Sequence, residues 1–311
     1  MVETLDHVVG QAVPVSILKR ALSTNRVGHA YLFSGAEGLG KETVARAMAS
    51  ELKRRGGPLS EIHILDGDET IRIDDIRELH RKAALVPSGF SIWIILEAKR
   101  MHVEASNAFL KILEEPPAGT YFLLTTTQVQ ALLPTILSRC QHLPFRRMAE
   151  KDVAKWLANK VGRSEDDERV QSIARLAHGS LGKAWAYWEG TLLEERDAVL
   201  SKLMEVPKSS YAQVLGLSQN WPEDRKKITE ELQLFLEWFR DLLIVKNEIA
   251  LPLYNPSYRQ ELSEISALYT NQDLVRIMEQ IMETEKAIAG NGRIRFYLGY
   301  LLLLMKKGAL T

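Results

Sequence analysis

Ser34-Gly35-Ala36-Glu37-Gly38-Leu39-Gly40-Lys41-Glu42-Thr43 is the stretch that decides the fold. Ala30-Tyr31-Leu32-Phe33 runs into it as a buried strand, and Val44, Ala45, Met48 and Leu52 leave it on one face of a helix. A glycine-rich turn from strand to helix, with a lysine at the helix start, is the setting of a phosphate-binding loop. Glycines let backbone N–H groups wrap around phosphate oxygens, and the ammonium neutralises charge beside the helix N-terminus. Gly35, Gly38, Gly40 and Lys41 are therefore the candidate nucleotide-binding residues. The hydroxyl that ligates magnesium belongs directly after the lysine. Glu42 stands there and Thr43 comes one place late, so a carboxylate is expected near triphosphate oxygens, where like charges repel. The loop reads as degenerate; a tight glycine turn is the plainer alternative.

Outward from the loop, strand and helix patterns alternate. Glu61 to Leu65, Ser91 to Leu96, Tyr121 to Thr125 and Gln141 to Phe145 are further strands. Between them lie an amphipathic helix over Ile73 to Ala84 and another over Val103 to Glu115, stopped by Pro116-Pro117. Asp74 and Asp75 suit the first turn of their helix better than a metal site. Strands apolar on both faces, alternating with helices, predict a parallel α/β sheet over residues 29–145, with residues 4–29 as a helical lead-in. A magnesium-dependent ATPase of this type ends one strand in an acidic residue followed by a catalytic glutamate. Here the pair is Leu96-Glu97, a second missing magnesium contact. Thr125, Thr126 and Thr127 end the next strand, where a γ-phosphate sensor would stand; β-branched residues finishing a strand are an equally good reading.

The whole chain sets outer bounds. Its 311 residues suffice for two or three domains, and 46% hydrophobic with 26% charged residues is ordinary for a soluble globular protein. Forty basic residues balance forty acidic ones, so net charge gives no argument for a strongly basic nucleic-acid face and leaves a local patch open. The single cysteine, Cys140, excludes an internal disulfide framework and a cysteine-cluster zinc site. The start at Met1 to Asp6 does not read as a secretory signal, and the greasy run from Leu298 to Met305 is too short to span a bilayer.

After residue 146 strands disappear. Ala149 to Val161 and Asp167 to Ala177 are two helices, and a third begins at His178-Gly179-Ser180-Leu181-Gly182-Lys183. The remainder is helical by pattern, with a stripe of Leu232, Phe235, Leu236, Phe239, Leu242 and Leu243, and a last helix from Ile294 that is apolar nearly all round. The expected domains are 1–146, 147–205 and 206–311, of which composition marks the first boundary.

Asn107-Ala108-Phe109-Leu110-Lys111-Ile112-Leu113-Glu114-Glu115-Pro116-Pro117, followed at a distance by Leu137-Ser138-Arg139-Cys140, resembles the delta-prime branch of the bacterial DNA polymerase III clamp loader, within the AAA+ family. The resemblance spans most of residues 10–150. It implies an α/β P-loop (AAA+) sheet domain, a small helical lid domain and an all-α C-terminal collar domain that oligomerises. It implies a cytoplasmic hetero-oligomer within the DNA-directed DNA polymerase III holoenzyme, containing motor subunits and a delta subunit. The sliding clamp would be met indirectly, primed DNA through the assembled complex, and no membrane is involved. Active relatives carry an arginine in the lid where this chain has Gly182, a third missing nucleotide contact. The expectation is a subunit without intrinsic ATPase activity. It requires no cofactor, leaves room only for residual ATP or ADP binding, and supplies Arg139 in trans to a partner's ATP site. Many relatives carry a four-cysteine zinc module after the loop helix; Glu51 to Leu65 has no cysteine, so no zinc is expected. The alternative is an ATP-hydrolysing clamp-loader or other AAA+ motor subunit. An unrelated P-loop kinase would leave the two signature stretches unexplained.

Overall fold

The computed structural model describes residues 4–66, 70–83, 89–221, 223–290 and 292–309. They fall into two compact units, residues 1–185 and 186–311. The first is built on five parallel strands: β1 (Ala30–Ser34), β2 (Glu61–Leu65), β3 (Ser91–Ile95), β4 (Thr120–Thr126) and β5 (Gln141–Pro144). Their spatial order is β2-β3-β4-β1-β5. β1 thus lies between two partners, with Leu32 opposite Leu124 on one side and His142 on the other.

Side chains alternate across a strand, so each strand feeds two cores. Tyr31 and Phe33 join Leu18 of α1 (Ala12–Ser23) and Val44, Met48 and Leu52 of α2 (Lys41–Gly56). Ala30 and Leu32 join Ile76 and Leu79 of α3 (Ile73–Ala83) and Phe109 and Ile112 of α4 (Val103–Glu114). The expected strands and helices stand within a residue or two of their sequence positions, apart from the lead-in and the helix expected from His178, which begins at Leu181. That segment is one 3-10 turn, Leu5–His7, and α1. Ala84, expected to end α3, lies outside the described residues.

After β4 come α5 (Pro134–Leu137), then β5, α6 (Glu150–Val161) and α7 (Glu168–Leu176). Asp167 caps α7 by accepting from the backbone N–H groups of Arg169 and Val170. α8 (Leu181–Glu189) runs on into the second unit.

The second unit contains α9 (Thr191–Glu205), α10 (Tyr211–Gln219), α11 (Arg225–Lys246), α12 (Arg259–Ser266), α13 (Asn271–Ala289) and α14 (Ile294–Gly308). α11 packs against α9, α12 and α13, and α14 against α10 and α13. Phe235, Trp238, Leu242, Ile277, Leu301 and Met305 are buried in one core. α14 is less uniformly covered than its composition suggests, because Phe296 is 70% exposed. No helix among the described residues is long and apolar enough to cross a membrane.

This core also holds charge. Arg196 of α9 and Glu237 of α11 pair at 2.9 Å, only 4% and 3% exposed. Arg196 donates to Asn255 Oδ1 at 2.7 Å, and Asn255 donates from its backbone and side-chain nitrogens to the buried carboxylate of Asp241 at 2.8 and 2.9 Å. Buried ions are tolerated only when paired and hydrogen-bonded. The network therefore ties the loop before α12 to both helices. Arg196→Ala is expected to destabilise the chain by about 3–5 kcal/mol in urea unfolding monitored by tryptophan fluorescence. A loss below about 1 kcal/mol would mean the network is not desolvated as described.

Candidate nucleotide-binding site

The loop after β1 lies at the carboxyl ends of the parallel strands, the usual ligand edge of an open α/β sheet. Gly35, Gly38 and Gly40 have φ of +144°, +74° and +87°. At Gly35 a Cβ would come within 2.6 Å of the Phe145 carbonyl oxygen, so both conformation and close approach require glycine there. The loop continues the ladders on both sides: Gly35 N–H donates to Thr126 O at 3.2 Å, and Phe145 N–H to Ser34 O at 2.7 Å. Gln11, which sequence reasoning did not single out, braces it further. Its amide donates to Leu39 O at 3.4 Å and Arg146 O at 2.8 Å and accepts from Arg146 N at 3.2 Å.

Lys41 is 6% exposed. Its Nζ donates to the carbonyl oxygens of Gly35 at 2.7 Å and Ala36 at 2.8 Å. Burial pulls its pKa below the ordinary lysine value; Glu97 and Glu37 oppose that pull, and the neighbouring ammonium of Lys99 adds to it. Lys41 and Glu97 are thus brought within electrostatic reach of each other across the crevice.

Glu97 follows β3 with φ of +46°. Its N–H donates to Thr125 Oγ1 at 3.0 Å. Its Oε2 accepts from the Thr127 backbone N–H at 3.0 Å and from the Thr127 hydroxyl at 2.9 Å. Lys99, in the 3-10 turn Ala98–Arg100, donates to the same Thr127 oxygen at 2.6 Å. The only signal for Lys99 in the sequence was its spacing of two from Glu97. Of the three threonines considered as sensors, Thr127 is the one that meets the acid.

The expected magnesium positions can now be tested. Glu42 does not aim at the loop: it pairs with Arg46 one turn along α2, at 2.6 Å, on the exposed side. The expected repulsion with phosphates is therefore relieved, because the carboxylate is turned away and neutralised. Leu96 is buried in the core beside α1 and α2 and offers no oxygen. The residues present do not fit an ordinary magnesium site, which needs several oxygen ligands in near-octahedral array.

The start of α8 closes on the loop. Gly182 N–H donates to Gly38 O at 3.1 Å. A Cβ on Gly38 would fall 2.2 Å from Ser180 Oγ, and one on Gly182 would fall 3.0 Å from the Gly38 Cα. The position expected to lack an arginine is thus a backbone-to-backbone contact with room for nothing larger.

Arg139 follows α5. Its Nη2 pairs with Glu114 Oε1 at 2.6 Å, and its Nη1 donates to Thr135 O at 3.1 Å. The two signature stretches therefore touch each other through one partly exposed ion pair. Cys140 beside it is buried, and desolvation pushes its thiol up to about 12. A thiol protonated at pH 8 and out of reach is inert. Ellman's reagent at pH 8 is expected to titrate no thiol in the native chain and the single Cys140 after denaturation. Rapid native reaction would contradict this packing.

Comparisons with known proteins follow the same lines. The profile of the family described as DNA polymerase III, delta subunit, matches residues 10–58 and 52–149. DNA polymerase III subunit tau of Bacillus subtilis (strain 168) is 27% identical over 288 residues, covering 78% of this chain and 50% of its own length. Subunit gamma/tau of Mycobacterium tuberculosis (strain ATCC 25618 / H37Rv) is 34% identical over 199 residues, covering 56% of this chain and 34% of its own. The chain thus spans half or less of the length of these two relatives. The solved structure of the Thermotoga maritima RuvB Holliday junction branch migration motor shares the fold, with TM-score 0.51 and 16% identity over 99% of this chain and 89% of that one. Matches to tau and gamma subunits of DNA polymerase III overturn the expectation of a chain without intrinsic ATPase activity. Physically, the substitutions at Glu42, Leu96 and Gly182 do not suffice for that expectation, because Lys41 and Glu97 both stand in the crevice. Sheet, loop and relatives agree on one likeness: residues 10–149 match the family described as DNA polymerase III, delta subunit, and the chain is similar to tau and gamma subunits of DNA polymerase III.

Proposed function

We propose that the chain is an ATP-using subunit of the bacterial DNA polymerase III clamp loader, working with other loader subunits to place the sliding clamp on primed DNA. The observation that carries this reading is the buried Lys41 at the helix start facing Glu97 across the strand ends. The loop glycines and backbone N–H groups would hold phosphates, and Lys41 would turn from the carbonyls of Gly35 and Ala36 to phosphate oxygens. Glu97, released from Thr127, would accept the proton of the attacking water. ATP supplies the transferable phosphoryl group; the chain's residues orient it and take the proton.

Two features support a place in a larger assembly. The exposed aromatic face of α14 suits subunit contact, with the chain working as a sheet domain (1–146), a lid (147–205) and a collar (206–311). Arg139 is permanently charged, has a rigid fork of donors, and is held near the surface by Glu114, so it would reach a neighbour's nucleotide in trans. A delta-prime position in the complex is the second reading, favoured by Leu96 and Gly182. It assigns a place in the assembly and says nothing against turnover.

Steady-state ATP turnover by the full chain, alone and in the reconstituted complex, tests the proposal. Glu97→Gln is expected to lower it roughly 10²-fold while nucleotide still binds. Lys41→Ala should abolish both. Absence of turnover attributable to this chain, or turnover that survives Lys41→Ala, would sink the reading. Arg139→Ala should leave assembly intact and lower turnover at the adjoining subunit roughly 10³-fold. Unchanged turnover in the assembled complex would remove Arg139 from the mechanism.

A further inference from the structure

The charge pattern of the crevice departs from that of a magnesium-nucleotide site in a particular way. The magnesium carboxylate is replaced by Leu96, and the acidic residue after the loop lysine is paired outward with Arg46. The hydroxyls at the end of β4 are committed: Thr125 to the Glu97 N–H, Thr126 to Gln128, and Thr127 to Glu97 and Lys99. No group of three or more histidine, cysteine, aspartate or glutamate side chains able to hold a metal ion occurs among the described residues. In place of those oxygens the crevice carries a second ammonium. Lys99 Nζ is 3.7 Å from Glu97 Oε2 and 2.6 Å from Thr127 Oγ1, and it is near enough to Lys41 to act on its charge.

We propose that the Lys99 ammonium takes the place of the divalent cation, so that this site binds a nucleoside triphosphate in its metal-free form. The inference rests on the reading of the loop as a nucleotide site and deepens it by naming the ionic form of the ligand. Two fixed ammonium groups attract a polyanion and repel a dication, and Glu97, the acid beside Lys99, is already shared by Thr127 and Lys99. Glu37, an exposed acid of the loop, also acts on the Lys41 charge. A phosphate oxygen entering the crevice would replace the carboxylate of Glu97 as the partner of Lys99. The same ligand exchange frees Glu97 from one of its contacts. A charge-assisted bond of this type needs no octahedral shell, and the ammonium is delivered by a 3-10 turn whose backbone the threonine contacts hold in place.

The test is titration calorimetry of the full chain with ATP, in EDTA and in excess Mg²⁺. Wild-type affinity in EDTA is expected to match or exceed that in Mg²⁺. Lys99→Met should weaken binding in EDTA by about tenfold or more, and Lys99→Arg should restore it. Mg²⁺ tightening wild-type binding by about tenfold or more would overturn the inference and leave the nucleotide site standing. So would Lys99→Met binding as the wild type does, or Met and Arg variants failing alike. No binding by the wild type in either condition would overturn the nucleotide reading itself, and this inference with it.

Discussion

The contact of the Lys41 ammonium with the carbonyl oxygens of Gly35 and Ala36 closes the phosphate loop on itself, and much of the first unit is arranged to permit it. The lysine reaches those carbonyls only because three glycines take positive φ between strand and helix. The loop keeps that path because β1 is paired on both sides, so its end is fixed by Thr126 and Phe145. Gln11, just before α1, and Gly182 of α8 then hold the loop as well. Under the proposed reading, a phosphate entering this loop would compete with internal hydrogen bonds rather than with water. The ammonium is already desolvated, so the exchange costs less than bringing a hydrated lysine into the site would.

Charge is handled differently in the two units. In the helical unit Arg196, Glu237, Asn255 and Asp241 form a buried set linked by an ion pair and hydrogen bonds, and its role is to fix a loop against two helices. At the strand ends Lys41 and Lys99 donate to backbone and hydroxyl oxygens that a ligand oxygen could replace one for one, while Glu97 accepts from Thr127. The first arrangement specifies structure; the second is exchangeable, which is what a binding site requires. The substitution of Leu96 for an acid fits this division, since an additional carboxylate would cancel the positive field that Lys99 supplies.

The ion pair of Glu114 with Arg139 gives a physical meaning to two stretches that are separate in sequence. The helix stopped by Pro116-Pro117 ends where α5 delivers the arginine, and the carboxylate holds its fork near the surface. Cys140, next in line, turns into the core and acts as a small apolar residue.

Period and punctuation in the sequence determined the elements. Apolar runs bounded by glycine and proline located the five strands, and the 3.6-residue repeats located the helices, because both depend on neighbours along the chain. The glycine spacing located the loop, and Asp167 announced the start of α7. Sequence patterns also showed which side chains were missing at positions 42, 96 and 182, though not what their absence does. The tertiary structure decided that. Glu42 turns to Arg46, Gly182 becomes a backbone contact, and Lys99 enters the crevice. The partners that define the site lie far apart in the chain: 28 residues separate Lys99 from Thr127, and 135 separate Gln11 from Arg146. Such pairs meet only when strand order is settled, because β4 must come to lie between β3 and β1 before the ends of β3 and β4 can share one acid and one ammonium. No periodicity along a single strand or helix encodes that adjacency.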